Sequence, residues 1–155
     1  MKASKKRLLW VLILLPAILT SYVFWLSQRS VEIVGVHQNG NHSYILVKNF
    51  PFSDRGKISW WLENKDMLRV KYKIPKPATY GSYTIIFWLF GEGYKEEGKY
   101  DRLCFNDMPP PKNCIEKEAI FAVEKSTNLG TIFTVYNGGD YRLNNKGTVV
   151  EVHRK

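Results

Sequence analysis

Acidic side chains that could perform chemistry are concentrated in one segment of the chain, at Glu92, Glu96, Glu97 and Asp101. Paired carboxylates are the groups with which a glycoside hydrolase protonates and attacks a glycosidic bond. Glu97 and Asp101 are four residues apart, so on a strand they would not be neighbours in one row. Cations are interleaved with the acids, namely Lys95, Lys99 and Arg102. A solvated edge strand of mixed charge explains this pattern better, so we predict no catalytic residues. An envelope hydrolase that uses carboxylates near Glu92 to Asp101 stays as an alternative.

The histidines do not form a second catalytic constellation. They are scattered through the chain at His37, His42 and His153, none has an evident partner, and we interpret them as polar strand residues. A catalytic serine would need a partnered base and a backbone elbow, and the chain has no Gly-x-Ser-x-Gly motif. Two histidine nitrogens facing each other across a turn, without a third ligand, make a weak metal site. The sequence predicts no metal and no cofactor.

Aromatic and basic side chains form a better candidate site. Trp60 and Trp61 are adjacent, so on a helix their side chains point about 100° apart and cannot both be central to one narrow apolar stripe. An exposed tryptophan beside Lys65 is the kind of anchor that protein interfaces favour. More cations follow at Arg69, Lys71, Lys73 and Lys76. We therefore name four candidate partner-binding residues: Trp60, Trp61, Lys65 and Arg69. A wide core-facing stripe and an ordinary solvated helix end are the competing interpretations.

These four residues lie on a predicted amphipathic helix that covers residues 54–70. Apolar residues recur there at helical spacing, at Ile58, Trp61, Leu62 and Leu68. Ser53 has the side chain of an N-cap residue and Asp54 adds an acid to the first turn, whereas Gly56 weakens the start of the helix. Pro75 and Pro77 end the element, because a proline donates no hydrogen bond.

Strand patterns surround this helix. Residues 31–37 and 42–48 flank an Asn39-Gly40 turn and predict a hairpin. Residues 83–90 are apolar on both faces and predict a central strand, with residues 94–105 returning antiparallel. Further strands are predicted at 115–125, 131–136, 140–143 and 148–153. The order of strands, one helix and then strands predicts an α+β domain, in which a mostly antiparallel sheet carries the helix on one face.

The two cysteines, Cys104 and Cys114, lie ten positions apart around a run of three prolines. A disulfide is the natural interpretation, and a pair of buried free thiols is the alternative. Closing a loop of this length stabilises the fold by about 3 kcal/mol in the chain-entropy model.

Residues 8–26 contain no Asp, Glu, Lys or Arg. A helix of this length covers about 28 Å, close to the hydrocarbon core of a bilayer at about 30 Å. Trp10 near one end and Tyr22 with Trp25 near the other match the aromatic belts of the two membrane interfaces. A cleaved signal peptide has a shorter apolar region that ends at a small-x-small site, which this run lacks. We therefore predict a transmembrane anchor.

The flanking charges orient this anchor. Four cations and no acid precede it, namely Lys2, Lys5, Lys6 and Arg7. Such a bias places the N-terminus in the cytoplasm. We predict a basic cytoplasmic tail at residues 1–7, a transmembrane helix at 8–26 and an exported α+β domain at 27–155. The disulfide prediction supports the exported placement independently.

Several short segments of the chain resemble the sequences of an enterobacterial family of membrane proteins of unknown function. They are Leu8-Leu9-Trp10, Val31-Glu32-Ile33-Val34, His37-Gln38-Asn39-Gly40, Val47-Lys48-Asn49-Phe50-Pro51-Phe52, Trp60-Trp61-Leu62, Asn64-Lys65-Asp66-Met67, Ile74-Pro75-Lys76-Pro77, Phe87-Trp88 and Tyr100-Asp101-Arg102-Leu103-Cys104-Phe105. The resemblance covers nearly the whole chain. It implies a Gram-negative inner membrane, so that residues 27–155 would lie in the periplasm, and it carries no catalytic residues that could be transferred.

These observations favour an inner-membrane-anchored periplasmic binding protein without catalysis. Its expected partners are the membrane and a protein, and no nucleic acid. The most concrete version is an immunity-type protein that sequesters a toxin at the membrane where the toxin acts. The alternatives are the envelope hydrolase and an accessory subunit of a membrane complex that associates through its span.

Overall fold

The computed structural model describes residues 2–27 and 29–153. The predicted first residue of the cytoplasmic tail, Met1, and the predicted last residue of the exported domain, Lys155, lie outside the described residues. The chain divides into two compact units, Met1–Ser30 and Val31–Lys155. We describe each unit by itself.

The first unit is one helix, α1 (Lys2–Ser27). Within the part of the chain that the structure describes, it is the one helix that is long and apolar enough to cross a membrane. Apolar side chains cover its surface, with Leu8 62% and Phe24 64% exposed. Near its C-terminal end Tyr22 stacks on Trp25, and the Arg29 guanidinium lies 4.7 Å from the centre of the Trp25 ring.

The second unit is an α+β fold, as the sequence predicts. Its elements are β1 (Glu32–Asn39), β2 (His42–Lys48), α2 (Asp54–Tyr72), β3 (Tyr83–Leu89), β4 (Arg102–Cys104), β5 (Cys114–Glu116), β6 (Ala119–Ser126), β7 (Gly130–Val135), β8 (Asp140–Leu143) and β9 (Val149–Val152). Seven strands form one sheet in the order β1-β2-β3-β6-β7-β8-β9, and β4 pairs with β5 in a separate ribbon. The large sheet is mostly antiparallel, which confirms the predicted fold class.

One neighbouring pair in the large sheet, β2 with β3, is parallel. A parallel pair needs a long crossover between its strands, and here α2 supplies it. The helix is thereby brought onto one face of the sheet. The predicted hairpin of β1 and β2 forms around Gly40, whose φ of +60° lies in the left-handed region that glycine tolerates.

The start of α2 is fixed by side chains. Ser53 is the N-cap, and its hydroxyl oxygen accepts a hydrogen bond from the Gly56 N–H at 3.0 Å. Lys57 is only 8% exposed, and its ammonium donates to the carbonyl oxygens of Pro51 and Phe52 at 2.7 and 2.8 Å. Burial lowers the pKa of Lys57. The segment that enters the helix is therefore fastened to its first turn.

The substitution Gly56→Ala is expected to destabilise the protein, although alanine is the better helix former by about 1 kcal/mol. A Cβ at this position would lie 2.8 Å from the Ser53 hydroxyl oxygen and 3.0 Å from Pro51 Cβ, so the cap must shift. Chemical unfolding of the two proteins checks this expectation. A higher free energy of unfolding for Gly56→Ala would contradict the expectation, because it would mean that the cap can shift without destabilising the protein.

The main core lies between α2 and the sheet. Side chains that are at most 5% exposed and belong to this core include Ile45, Val47, Ile58, Trp61, Leu68, Ile85, Phe87, Phe121, Phe133 and Val135. Along β2, Ile45 and Val47 belong to this core, whereas Leu46 between them belongs to a second core with Phe105 and Ile115. Because side chains alternate between the faces of a strand, the second core lies on the opposite face of the sheet.

The second core is covered by the segment that follows β3. Cys104 and Cys114 are paired residues of β4 and β5 and form the predicted disulfide, which is confirmed. The predicted strand at 94–105 is wrong, because only β4 is extended there and β3 pairs instead with β6. The predicted strand at 115–125 is interrupted between β5 and β6. Gly91, Gly93 and Gly98 have positive φ, so the backbone turns repeatedly before β4.

Candidate functional site

Three of the four predicted partner-binding residues line one cavity. Trp61, Lys65 and Arg69 follow one another at intervals of four residues on α2, an interval that stacks side chains on one side of a helix. Together they form one wall of a groove of about 460 Å³. The sheet forms the other wall, which contains Tyr83, Lys125, Phe133 and Leu143. Pro75 and Pro77 also line the groove. We call this the basic groove.

The two tryptophans have different positions. Trp61 is 4% exposed and belongs to the main core, so it contributes a buried wall to the groove. Trp60 is half-buried at the margin of the same core, with its ring edge-on to Phe50 at 5.3 Å and to Phe87 at 5.7 Å between centroids. Trp60 does not line the basic groove. Both rings thus pack in a wide apolar stripe, and Trp60 lies at its edge.

The basic groove carries positive charge without compensation. Lys65, Arg69 and Lys125 line it, and none of its lining residues is acidic. Within residues 2–27 and 29–153, none of these three cations is among the ion pairs closer than 4.0 Å. Burial raises the pKa of Tyr83, and the charge of Arg69 acts in the opposite direction. The groove therefore combines apolar walls with cations that are available to an anion.

A hydrogen-bonded cluster lies at the opposite end of α2. The Asp54 carboxylate accepts from the Tyr141 hydroxyl at 2.7 Å and from the Gly139 N–H at 3.1 Å. These two bonds lower the pKa of Asp54, and the hydrogen bond to Asp54 raises the pKa of Tyr141 to about 12. A cavity of about 390 Å³ beside it is lined by both Arg55 and Glu151, so its charges are mixed. This cluster connects the first turn of α2 to β8 and to the turn that precedes it.

Asp54→Asn is expected to lower the free energy of unfolding by about 1 kcal/mol at neutral pH, because both donors bond to Asp54 Oδ2 and a neutral amide oxygen accepts weaker hydrogen bonds than a charged carboxylate. The folded pKa of Asp54 is lowered, so its contribution is present above the ordinary value of 3.8 and is lost as pH falls through the folded pKa. The difference between wild type and variant should therefore shrink in acid. Unfolding at neutral and acidic pH checks this, with the exposed Asp66→Asn as control; equal stability of all three proteins at neutral pH would contradict it.

His37 is a polar strand residue of β1, as predicted, but it also has partners that the sequence did not indicate. It is 7% exposed, its Nδ1 lies 2.7 Å from Asp107 Oδ1, and its Nε2 lies 2.9 Å from the Tyr94 hydroxyl. Its ring stacks on Phe105 at 3.8 Å between centroids. No sequence signal could reveal partners that are 70 and 57 residues away. Burial and the charge of Asp107 raise the pKa of Tyr94.

Two of the four acids in the acidic segment form ion pairs with lysines, whereas Glu96 and Glu97 are in no ion pair closer than 4.0 Å among the described residues. Glu92 pairs with Lys95, and Asp101 pairs with Lys117 at 2.7 Å. Arg102 donates to Glu116 at 3.0 Å, which lowers the pKa of Glu116. Among the described residues, no group of three or more His, Cys, Asp or Glu side chains is placed to hold a metal ion.

The sequence profile of one protein family matches residues 2–153, and its description is "Enterobacterial putative membrane protein (DUF943)". Neither a curated protein nor a solved structure matches the chain.

Proposed function

The chain belongs to this enterobacterial family of membrane proteins, and from that premise we propose that it is a single-pass inner-membrane protein whose periplasmic domain binds another protein without catalysis. The N-terminus lies in the cytoplasm in this proposal, since four cations precede α1 and no acid does. The disulfide between Cys104 and Cys114 suits the oxidising side of the membrane.

The observation that carries the binding role is the basic groove. It is the feature in which predicted binding residues, apolar walls and unpaired cations coincide. Pockets that bind ligands are mostly apolar with a few placed polar groups, and arginine is enriched at the energetic centre of protein interfaces. The acids at Glu92 and Asp101 each have a lysine partner, so they offer no comparable site.

An immunity-type role is the most concrete form of this proposal. A membrane anchor confines the binding domain to the surface where a periplasmic or membrane-active toxin would arrive. Such confinement raises the effective concentration of the domain without any new contact. In this role the groove would hold the toxin rather than transform it.

Capture of a partner from native envelopes tests the proposal. The full-length protein with a C-terminal affinity tag is cross-linked in the cell and recovered, beside the double variant Lys65→Glu/Arg69→Glu. Both side chains are exposed, so the variant is expected to fold. Recovery of a specific protein is expected to fall by at least about tenfold, which corresponds to about 1.4 kcal/mol.

The matched control is Lys112→Glu, which changes the sign of an exposed cation in the disulfide loop, outside the groove. It should recover the partner as wild type does. Recovery of no specific protein, or of the same protein by wild type and the groove variant alike, would count against the proposal.

A further inference from the structure

Lys125 completes the basic groove from the sheet side. It lies on β6 and lines the cavity together with Lys65 and Arg69 of α2. Residues 65 and 125 are far apart in the sequence, so no local pattern connects them. The register of β3 with β6 brings Lys125 opposite Tyr83, which also lines the groove. The cationic site therefore lies between the helix and the sheet rather than on the helix alone.

The walls between these cations are apolar. The half-buried side chains of Leu62, Pro75 and Leu143 line the same cavity as the three charges, above the buried rings of Trp61 and Phe133. A ligand that is only charged would leave these walls in water, and a ligand that is only apolar would bury cations without partners, which is costly. The groove therefore fits a ligand that presents negative charge and apolar surface together.

The spacing of the cations favours an extended chain. Lys65 and Arg69 are four residues apart on α2, which is a rise of about 6 Å along the helix. Alternate side chains on one side of an extended strand are about 6.6 Å apart, so two acids at alternate positions can meet both cations at once. A lipid phosphate or an inorganic anion carries its charge at a single centre, so the Lys65 and Arg69 side chains would have to converge to meet it together.

We propose that the basic groove binds an extended acidic segment of a protein, with alternate carboxylates on Lys65 and Arg69, a further carboxylate on Lys125, and an apolar side chain against Leu62 and Leu143. This inference rests on the proposed function and names the chemistry of the partner. Charge-assisted hydrogen bonds between carboxylates and these cations supply the specificity.

Direct binding of a defined probe tests the inference. The full-length protein is placed in nanodiscs of phosphatidylcholine, and fluorescence anisotropy follows a labelled peptide that has glutamates at alternate positions and a central leucine. A matched peptide has glutamine in place of every glutamate. The Kd is expected to rise by about tenfold for the glutamine peptide and by about tenfold for Lys125→Glu, whereas Lys112→Glu leaves it unchanged.

Competition identifies the source of the negative charge. Inorganic phosphate and vesicles of phosphatidylglycerol are added separately to the complex of protein and peptide. Displacement by the unlabelled glutamate peptide alone supports the inference. Displacement by phosphate or by the anionic vesicles at equal charge concentration overturns it, as does equal binding of both peptides.

The failure of this inference can be separated from the failure of the proposed function. If Lys65→Glu/Arg69→Glu loses the captured envelope protein while Lys125→Glu keeps it, the domain binds a protein, but the groove does not hold an acidic segment between helix and sheet. If no specific protein is captured by wild type, the proposed function itself fails.

Discussion

Replacing Phe87 with alanine is expected to lower the free energy of unfolding by about 3–5 kcal/mol, because a buried ring is lost and the cavity cannot fully collapse. Phe87 is 0% exposed. Rings of Phe50, Phe121 and Trp60 lie 5.0, 5.4 and 5.7 Å from it between centroids. With Trp61 included, Phe87 has four aromatic neighbours, which come from α2, from β6 and from the segment before α2. Among the described residues, no other ring of the main core has as many ring contacts.

Guanidinium unfolding of the full-length protein in detergent measures this change. Phe52→Ala is the matched control, because it removes the same atoms from a side chain that is 83% exposed. It should alter the free energy of unfolding by less than about 0.5 kcal/mol. Equal effects of the two substitutions would mean that Phe87 does not lie at the centre of the core.

Replacing both cysteines with serine is expected to cost about 3 kcal/mol, since the disulfide removes the entropy of an open loop from the unfolded chain. Cys114 is 0% exposed, and the bond fastens β4 to β5 over the second core. The loop between them carries Phe105 and Asp107, which contact His37. The packing around His37 should therefore loosen first.

Unfolding of wild type with and without a reducing agent provides the measurement. Reduced wild type and Cys104→Ser/Cys114→Ser should unfold at the same denaturant concentration, below that of the oxidised protein. Because the second core and the basic groove lie on opposite faces of the sheet, peptide binding by the folded double variant should stay as in wild type. Loss of binding by a variant that remains folded would contradict this separation of the two faces.

Local patterns were sufficient for much of this fold. The Asn39-Gly40 turn, the Ser53 cap and the apolar periodicity from Ile58 to Leu68 each act within a few residues, and the corresponding hairpin and helix form as predicted. The cysteine pair was also predictable, since its loop is short. These features need no knowledge of distant neighbours.

Features that depend on distant residues were missed. The parallel pairing of β2 with β3 follows from where α2 packs, and the course of residues 94–105 follows from the pairing of β3 with β6. The partners of His37 come from two separate segments on the far side of the sheet. The glycines at 91, 93 and 98 were a local sign in the sequence that this segment would turn rather than extend, and in the structure all three adopt positive φ.

The candidate site shows the same division. Helical spacing brought Trp61, Lys65 and Arg69 together in the sequence, but adjacency alone could not decide that Trp61 is buried and Trp60 marginal. Lys125 had no signal at all, because its place in the groove depends on the order of strands in the sheet. The anionic partner could be inferred only after that third cation was located.

The side of the membrane on which the second unit lies is tested most directly by fusions to the last residue, Lys155. Alkaline phosphatase becomes active only outside the cytoplasm, whereas green fluorescent protein exported in unfolded form fluoresces only inside. We predict an active phosphatase and a dark fluorescent protein at this position, and the reverse for the same fusions after Arg7. A fluorescent fusion at Lys155 with an inactive phosphatase would contradict an anchored domain that binds its partner in the periplasm.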